Sequence, residues 1–152
     1  EDLLESLCEI RATFVTLEKE KCLRGCIGTL SAHDPLGVDT ARNAYNAAFR
    51  DPRFPPVQKN EVASIEIHIS ILSPPEPFPV ADEDDLLAKL RPGVDGVIIT
   101  DGSNHATFLP SVWKHLPDPA AFVQELKMKA GLGPHHWSPT FTVERYTCES
   151  VS

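Results

Sequence analysis

The sequence is poor in basic residues and contains no long apolar run. Its 152 residues include 14 lysines and arginines against 22 aspartates and glutamates, which gives a formal net charge of -8. A protein whose main partner is a nucleic-acid backbone or an anionic membrane needs a basic footprint, which this composition does not provide. No apolar run approaches the roughly 20 residues that a membrane-spanning helix needs. We therefore expect a soluble, cytoplasmic protein that binds neither nucleic acid nor membrane.

Cysteine is also scarce, since the chain has only 4 of these residues. Cys22 and Cys26 would lie roughly 13 Å apart on an extended strand, too far for a disulfide bond. Their spacing has no matching second pair, so a zinc site is not expected. Free thiols fit a reducing compartment. The sequence starts at Glu1 without an initiator methionine or a signal-like segment, and we expect that preceding residues are missing.

The first half of the chain predicts a hairpin, a helix and a strand. Residues 12–18 are rich in β-branched side chains and pair with a second strand at residues 23–30. Asp34-Pro35 supplies an N-cap and a first-turn proline for a helix that Asp51-Pro52 ends. Helical spacing of apolar residues predicts the buried face of this helix, made of Val38, Ala41, Ala44, Tyr45, Ala48 and Phe49.

The cleanest strand pattern lies at residues 64–72, where isoleucines alternate with polar residues. Glu66, His68 and Ser70 share the outer face and invite comparison with a catalytic triad. Residues two apart on a strand lie side by side, whereas a relay needs them to converge within roughly 3 Å. We therefore interpret these residues as the polar outer face of a half-buried strand.

The second half repeats the order hairpin, helix, strand. Its predicted segments are a helix at 82–90, a hairpin at 95–101 and 105–109, a short helix at 110–116, a helix from Asp118-Pro119 to Gly131, and a closing strand at 140–148. Two such halves, at residues 12–72 and 95–148, suggest an internal structural duplication. We expect a single α+β domain over residues 1–152, with one barrel-like, mainly antiparallel sheet and helices packed outside.

The hexapeptide LRGCIG at residues 23–28 is the main candidate site. Alternation along a strand places Arg24 on the same face as Cys26, with Cα atoms roughly 7 Å apart, and a guanidinium at this range favours the thiolate. Gly25 and Gly28 indicate a bulge or a close approach to the backbone. A buried free cysteine is also a common small core residue, so Cys26 is either a site residue or a structural one.

A second candidate segment is the proline-stiffened loop at residues 51–56 (DPRFPP), which contains Asp51 and Arg53. If the preceding helix packs back over the sheet, Asp51 approaches Arg24. Such a pair is either part of a functional site or a structural ion pair. The adjacent histidines His135-His136 predict no metal site, because they point apart and no third ligand is near in sequence.

Five ordered motifs together resemble the AMMECR domain family, whose prokaryotic members are called protein A of the AmmeMemoRadiSam system. These motifs are LRGCIG at 23–28, DPRFPP at 51–56, PGVDGV at 92–97, TFLPSVW at 107–113 and KAGL at 129–132. The resemblance runs from Phe14 to about Tyr146. Family members usually carry an N-terminal helix and a longer segment before the first strand, and here that part is short or absent.

The resemblance implies two β3–α2–β repeats in one barrel-like sheet and brings no established activity or cofactor. It implies Memo-like and radical S-adenosylmethionine proteins as partners. One hypothesis is an enzyme in which Cys26 is a nucleophile or modified residue, activated by Arg24, with Asp51 and Arg53 orienting the substrate. The other is a binding module that uses the hexapeptide and the DPRFPP loop, with the arginines as anchors. We favour the binding module because the sequence shows no complete catalytic set.

Overall fold

The computed structural model describes residues 3–152 and divides the chain into two compact units. One unit runs to Pro74 and includes Glu149–Ser152, and the other is Pro75–Cys148. The helices are α1 (Leu3–Cys8), α2 (Leu36–Phe49), α3 (Glu83–Lys89) and α4 (Pro119–Lys129). The strands are β1 (Ala12–Lys19), β2 (Cys22–Gly28), β3 (Ile65–Leu72), β4 (Glu76–Pro77), β5 (Gly96–Asp101), β6 (Asn104–Phe108), β7 (Thr142–Tyr146) and β8 (Cys148–Val151). Short 3-10 helices cover Lys59–Ser64 and Pro110–Lys114.

The strands form two four-stranded sheets, in the orders β2-β1-β3-β8 and β4-β7-β5-β6. The expectation of one barrel-like sheet is therefore wrong, and neither sheet closes into a barrel within residues 3–152. The proline-rich segment after β3 gives a physical reason for two separate sheets. Proline has no backbone N–H to donate to a neighbouring strand, so this segment does not continue the first sheet. The predicted closing strand is also split, since β7 lies in one sheet and β8 in the other.

The same strand order occurs in both sheets around the first strand of each hairpin. In the first sheet β1 lies between its hairpin partner β2 and β3, which follows α2. In the second sheet β5 lies between its hairpin partner β6 and β7, which follows α4. The hairpins and their neighbouring strands pair in antiparallel fashion. An origin by internal duplication stays a prediction.

Helix α2 covers the first sheet with a face that differs from the predicted one. Its buried residues are Asp39, Asn43 and Ala47. Of the predicted face, two alanines pack on the core and four residues are exposed, namely Val38, Ala41, Tyr45 and Phe49. The helix also begins without an Asp34 cap, because Pro35 is the N-cap residue and has no side-chain hydrogen bond.

Polar side chains make the buried contact between α2 and β1. Asp39 Oδ2 accepts hydrogen bonds from Thr13 N at 2.9 Å and from Thr13 Oγ1 at 2.7 Å, and Asp39 Oδ1 accepts one from Thr29 Oγ1 at 3.0 Å. Asn43 Nδ2 donates to Thr13 O at 3.0 Å. Buried polar groups are tolerated when they are hydrogen-bonded, and this network fixes α2 against the sheet.

The second unit has its own aromatic core. Trp113 stacks on Phe122 with ring centroids 3.8 Å apart, and the indole N–H donates to Asp95 O at 2.8 Å. The buried Asp95 carboxylate accepts from the Arg91 backbone at 2.8 Å and from the Arg91 guanidinium at 2.7 Å. The indole hydrogen bond thus joins the PGVDGV and TFLPSVW motifs in the folded chain. Trp137 packs against this core.

The described helices are short. In residues 3–152, no helix combines the length and the apolar character needed to cross a bilayer.

Candidate functional site

The hexapeptide forms most of β2, which lies at one edge of the first sheet. Its register with β1 pairs Leu17 with Gly25 and Glu18 with Leu23. Arg24 is therefore the extra residue of a β-bulge, and the simple alternation predicted for this strand is interrupted there. Leu23 takes the place beside Glu18 that alternation assigned to Arg24. The alternation from which a shared strand face of Arg24 and Cys26 was predicted is interrupted here, and that shared face stays a prediction.

The two glycines of the hexapeptide allow close approach on opposite faces of β2. A Cβ atom at Gly25 would lie 2.1 Å from the carbonyl oxygen of Ala47 in α2. A Cβ atom at Gly28 would lie 2.1 Å from the ring of Phe14. The glycines thus seat the helix on one face and an aromatic ring on the other, and both have a structural role.

Asp51 and Arg53 clamp the outer backbone edge at Cys26. The carboxylate of Asp51 accepts the Cys26 N–H at 3.0 Å, and Arg53 Nη2 donates to the Cys26 carbonyl at 3.3 Å. The two side chains also bind each other, with Arg53 Nη2 and Nε at 2.7 and 3.0 Å from the carboxylate. An edge strand exposes unpaired backbone groups. At Cys26 this clamp satisfies them, so the two motifs of the sequence meet in one place.

The two side chains of the clamp, Asp51 and Arg53, carry opposite charges and differ in their exposure to solvent. Asp51 is buried and Arg53 keeps 54% of its side chain exposed. The pKa of the Asp51 carboxyl is held well below its usual value, first by the Arg53 hydrogen bond and further by the backbone N–H groups, against the effect of burial. The pKa of Arg53 is raised, chiefly by its hydrogen bond to Asp51, with the Cys26 side chain as a minor cause.

Arg24 binds a different carboxylate from the one that the sequence suggested. Its Nε and Nη2 atoms donate to the two oxygens of Glu61 at 3.1 and 3.2 Å, and Lys19 Nζ adds a third hydrogen bond at 3.2 Å. The suggested Asp51–Arg24 pair is therefore not formed. The Arg24 side chain is largely buried, and its Nη1 atom has no hydrogen-bond partner among the described residues.

Glu61 is a site residue that the sequence reasoning missed. The side chains of Gln58 and Glu61 form a capping box at the start of the 3-10 helix, and this spacing is visible in the sequence. The spacing could have identified a helix start, but it gives no information about pairing with Arg24 across the sheet.

The Cys26 thiol has a hydroxyl as its hydrogen-bond partner. Its Sγ atom lies 3.3 Å from Thr16 Oγ1, and Thr16 is the residue directly opposite on β1. Within residues 3–152, no histidine or carboxylate side chain hydrogen-bonds this sulfur. The four cysteines are all free and Cys26 is partly exposed. The arrangement can orient a thiol, but it does not supply the base that an activated nucleophile needs.

Arginines and aromatic rings adjoin the clamp along the chain. Arg53 lies over the ring of Phe54, with Cζ 5.4 Å from the centroid, and Arg50 lies 5.5 Å over Tyr45. Tyr45 and Phe49 pack on each other on the exposed side of α2, with centroids 5.0 Å apart. Tyrosine and arginine are enriched among residues that dominate protein–protein binding energy.

The structure defines a class of α+β protein with two antiparallel sheets, in which an aspartate–arginine pair clamps the LRGCIG edge strand. The chain belongs to the AMMECR1 family, whose sequence model matches residues 1–151.

Relatives from archaea support this assignment. A protein of Methanothermobacter thermautotrophicus is 39% identical over 153 residues, which cover 98% of this chain and 79% of that protein. A protein of Saccharolobus solfataricus is 42% identical over 130 residues, which cover 82% of this chain but only 57% of that protein. The crystal structure of an uncharacterised protein from Pyrococcus horikoshii matches with a TM-score of 0.91 and 33% identity, over 99% of this chain and 77% of that one.

Proposed function

We propose that this domain is a binding module that docks a partner protein on the surface around Arg53. The observation that carries the proposal is that the Arg53 guanidinium is held in place by hydrogen bonds but remains exposed to solvent. Three hydrogen bonds from the guanidinium, to Asp51 and to the Cys26 carbonyl, hold Arg53 while 54% of its side chain is exposed. A side chain that is already ordered loses little conformational entropy on binding.

The neighbouring aromatic residues favour a protein as the partner. Tyr45 and Phe49 are large apolar side chains that stay exposed on α2, although a helix of this pattern usually buries them. Exposed aromatic and arginine side chains are typical of interface hot spots, and α2 with these two rings ends four residues before Arg53 in the chain. Arg53 would bind a carboxylate or carbonyl oxygen of the partner, and the aromatic rings would pack beside it.

The enzyme hypothesis has less support. Cys26 has a threonine hydroxyl beside it rather than a base, and Arg24 is engaged with Glu61. Gly25, Gly28 and Asp51 have structural roles that need no substrate. We therefore regard Cys26 as a small residue of the binding surface.

The partners to test first are the Memo-like and radical S-adenosylmethionine proteins that the family resemblance implies. These proteins, taken from the same genome, would be purified and titrated against the immobilised domain. We also propose a cytoplasmic location, which fits the free cysteines.

The decisive variant is Arg53→Met, which keeps the aliphatic stem and removes the charge. We expect the Kd for the partner to rise at least about tenfold, as for a hot-spot residue. Arg42→Met is the matched control, because Arg42 is a half-exposed arginine of α2 that pairs with Asp34. Cys26→Ser should leave the Kd within about threefold. Unchanged affinity in Arg53→Met, or loss of binding in a folded Cys26→Ser protein, would contradict the proposal.

A further inference from the structure

Three metal-ligating side chains converge on the first sheet, and neither Asp51 nor Arg53 is among them. They are Glu18 of β1 and Glu66 and His68 of β3, and one ligand atom from each lies within 4.8 Å of the others. His68 Nε2 is 3.5 Å from Glu18 Oε2 and 3.9 Å from Glu66 Oε2. The strand register places Glu18 directly opposite Glu66 and His68 directly opposite Thr16, so neighbouring positions of two paired strands build the group.

Two like charges lie opposite each other in this group. Directly opposed carboxylates destabilise a pair of strands. Within residues 3–152, the ion pairs of Glu18 and Glu66 are with His68 alone, whereas Lys19 and Arg24 both bind Glu61. The sheet therefore keeps an unfavourable pair that a bound cation would relieve.

The histidine is oriented for ligation. Its Nδ1 atom lies 3.1 Å from the Ser152 hydroxyl. When Nδ1–H donates to that hydroxyl, Nε2 carries the lone pair and is the ring nitrogen nearest the carboxylates. Histidine ligands in metal sites are commonly fixed by such a hydrogen bond from the other ring nitrogen.

The distances also fit a metal ion of ordinary size. A tetrahedral Zn²⁺ with bonds of about 2.0–2.2 Å holds its ligand atoms about 3.3–3.6 Å apart. The two histidine–carboxylate separations, 3.5 and 3.9 Å, need only small side-chain movements to reach this range, and the two carboxylate oxygens lie within 4.8 Å of each other. Two carboxylates and one imidazole are a donor set for a borderline divalent metal, and three protein ligands leave a position for water or a small ligand.

We propose that Glu18, Glu66 and His68 form a site for a divalent transition-metal ion, represented by Zn²⁺. The site extends the interpretation of Glu66 and His68 as a merely polar face, and it uses none of the residues of the proposed partner surface. Cys26 is not a ligand, because on this face β1 separates it from His68.

The experiment titrates ZnCl2 alone into the metal-free protein at pH 7.5 by calorimetry. We expect one ion per chain. The Kd should rise at least about tenfold in Glu18→Gln, Glu66→Gln and His68→Gln, because even the loss of a group that only hydrogen-bonds to a metal ligand weakens metal affinity by about tenfold or more. His105→Gln is the matched control, because His105 is an exposed strand histidine outside the group, and it should leave the Kd within about twofold. Affinity should fall at pH 5.5, because a metal ion binds the deprotonated form of its ligands and therefore competes with protons for them.

Two further measurements distinguish ligation by this group from loss of the fold and from metal binding by a cysteine. Metal-free Glu66→Gln should be at least as thermally stable as the wild type, because it removes a like-charge contact; a lost affinity is then not caused by unfolding. Co²⁺ should give a spectrum without the near-ultraviolet charge-transfer band of thiolate ligands. No binding by the wild type, a Kd in the three variants equal to that of the wild type, or a thiolate band that Cys22→Ser or Cys26→Ser abolishes would each overturn the proposal.

Discussion

Asp51 connects the two sequence motifs of the first unit through a single buried carboxylate. It accepts hydrogen bonds from the backbone N–H groups of Cys26 and Arg53 and from two nitrogens of the Arg53 guanidinium. Hydrogen bonds to a charged group are stronger than neutral ones, and a buried group that loses its partner costs the free energy of its desolvation. The conformation of the edge strand at Cys26 therefore depends on this carboxylate.

Asp51→Asn tests that dependence. We expect the free energy of unfolding to fall by about 1–3 kcal/mol, because the amide cannot accept all these hydrogen bonds and Arg53 loses its counter-charge. Asp34→Asn is the control, since Asp34 forms a solvent-exposed pair with Arg42, and such pairs contribute about 0–1 kcal/mol. Urea denaturation measures both. An Asp51→Asn protein no less stable than Asp34→Asn would show that the clamp does not stabilise the strand.

The site was predictable from the sequence only in part, for a geometric reason. The proximity of Asp51 and Arg53 to the hexapeptide followed from a helix that returns over its hairpin. The partner of Arg24 did not follow, because the register shifts at this residue and strand alternation cannot reveal a bulge. Glu61 lies 37 residues from Arg24 in the chain, and no local pattern links them.

At the scale of the elements, α2 illustrates why periodicity misassigned a buried face. Hydrophobic spacing assumes that apolar residues turn inward. Here Gly25 lets the helix backbone come so close that small Ala47 fills the contact, and Asp39 and Asn43 bind the sheet through hydrogen bonds. Tyr45 and Phe49 are too bulky for such an approach and remain exposed. The positions of the helix ends were nevertheless predicted closely.

Gly25→Ala tests the close approach of α2. The added methyl group would meet a backbone carbonyl 2.1 Å away, which cannot move without moving the helix. We expect a loss of about 1–3 kcal/mol or more in the free energy of unfolding, as for overpacked cores. Gly133→Ala is the matched control, since a Cβ there meets nothing within 4 Å, and it should change stability by about 0.5 kcal/mol or less. Similar stability of the two variants, measured by thermal unfolding, would contradict the proposed packing role of Gly25.

For the whole molecule, the charged groups define a pH range of greatest stability. The pKa of Glu61 is lowered to about 2, first by the Arg24 hydrogen bond, and the pKa of Asp101 is lowered to about 2, first by the Thr140 hydroxyl and then by His136. Burial raises the pKa of the Cys148 thiol to about 11. Both units therefore contain carboxylates that are harder to protonate in the folded protein than in the unfolded chain.

We expect the free energy of unfolding to be greatest between about pH 5 and pH 9. The unfolded carboxylates take up protons near pH 4 and the folded ones near pH 2, so the stabilisation is present above the unfolded pKa and is lost as the pH falls from about 4.5 to 2. On the alkaline side the unfolded thiol ionises near pH 9 and the folded one near pH 11, so stability falls as the pH rises through this interval. Urea unfolding from pH 2.5 to 10.5 measures the profile. In Asp101→Asn the free energy of unfolding should fall less steeply below about pH 4.5, and in Cys148→Ala it should fall less steeply above about pH 9. Unchanged slopes in these variants would assign the pH dependence to other groups.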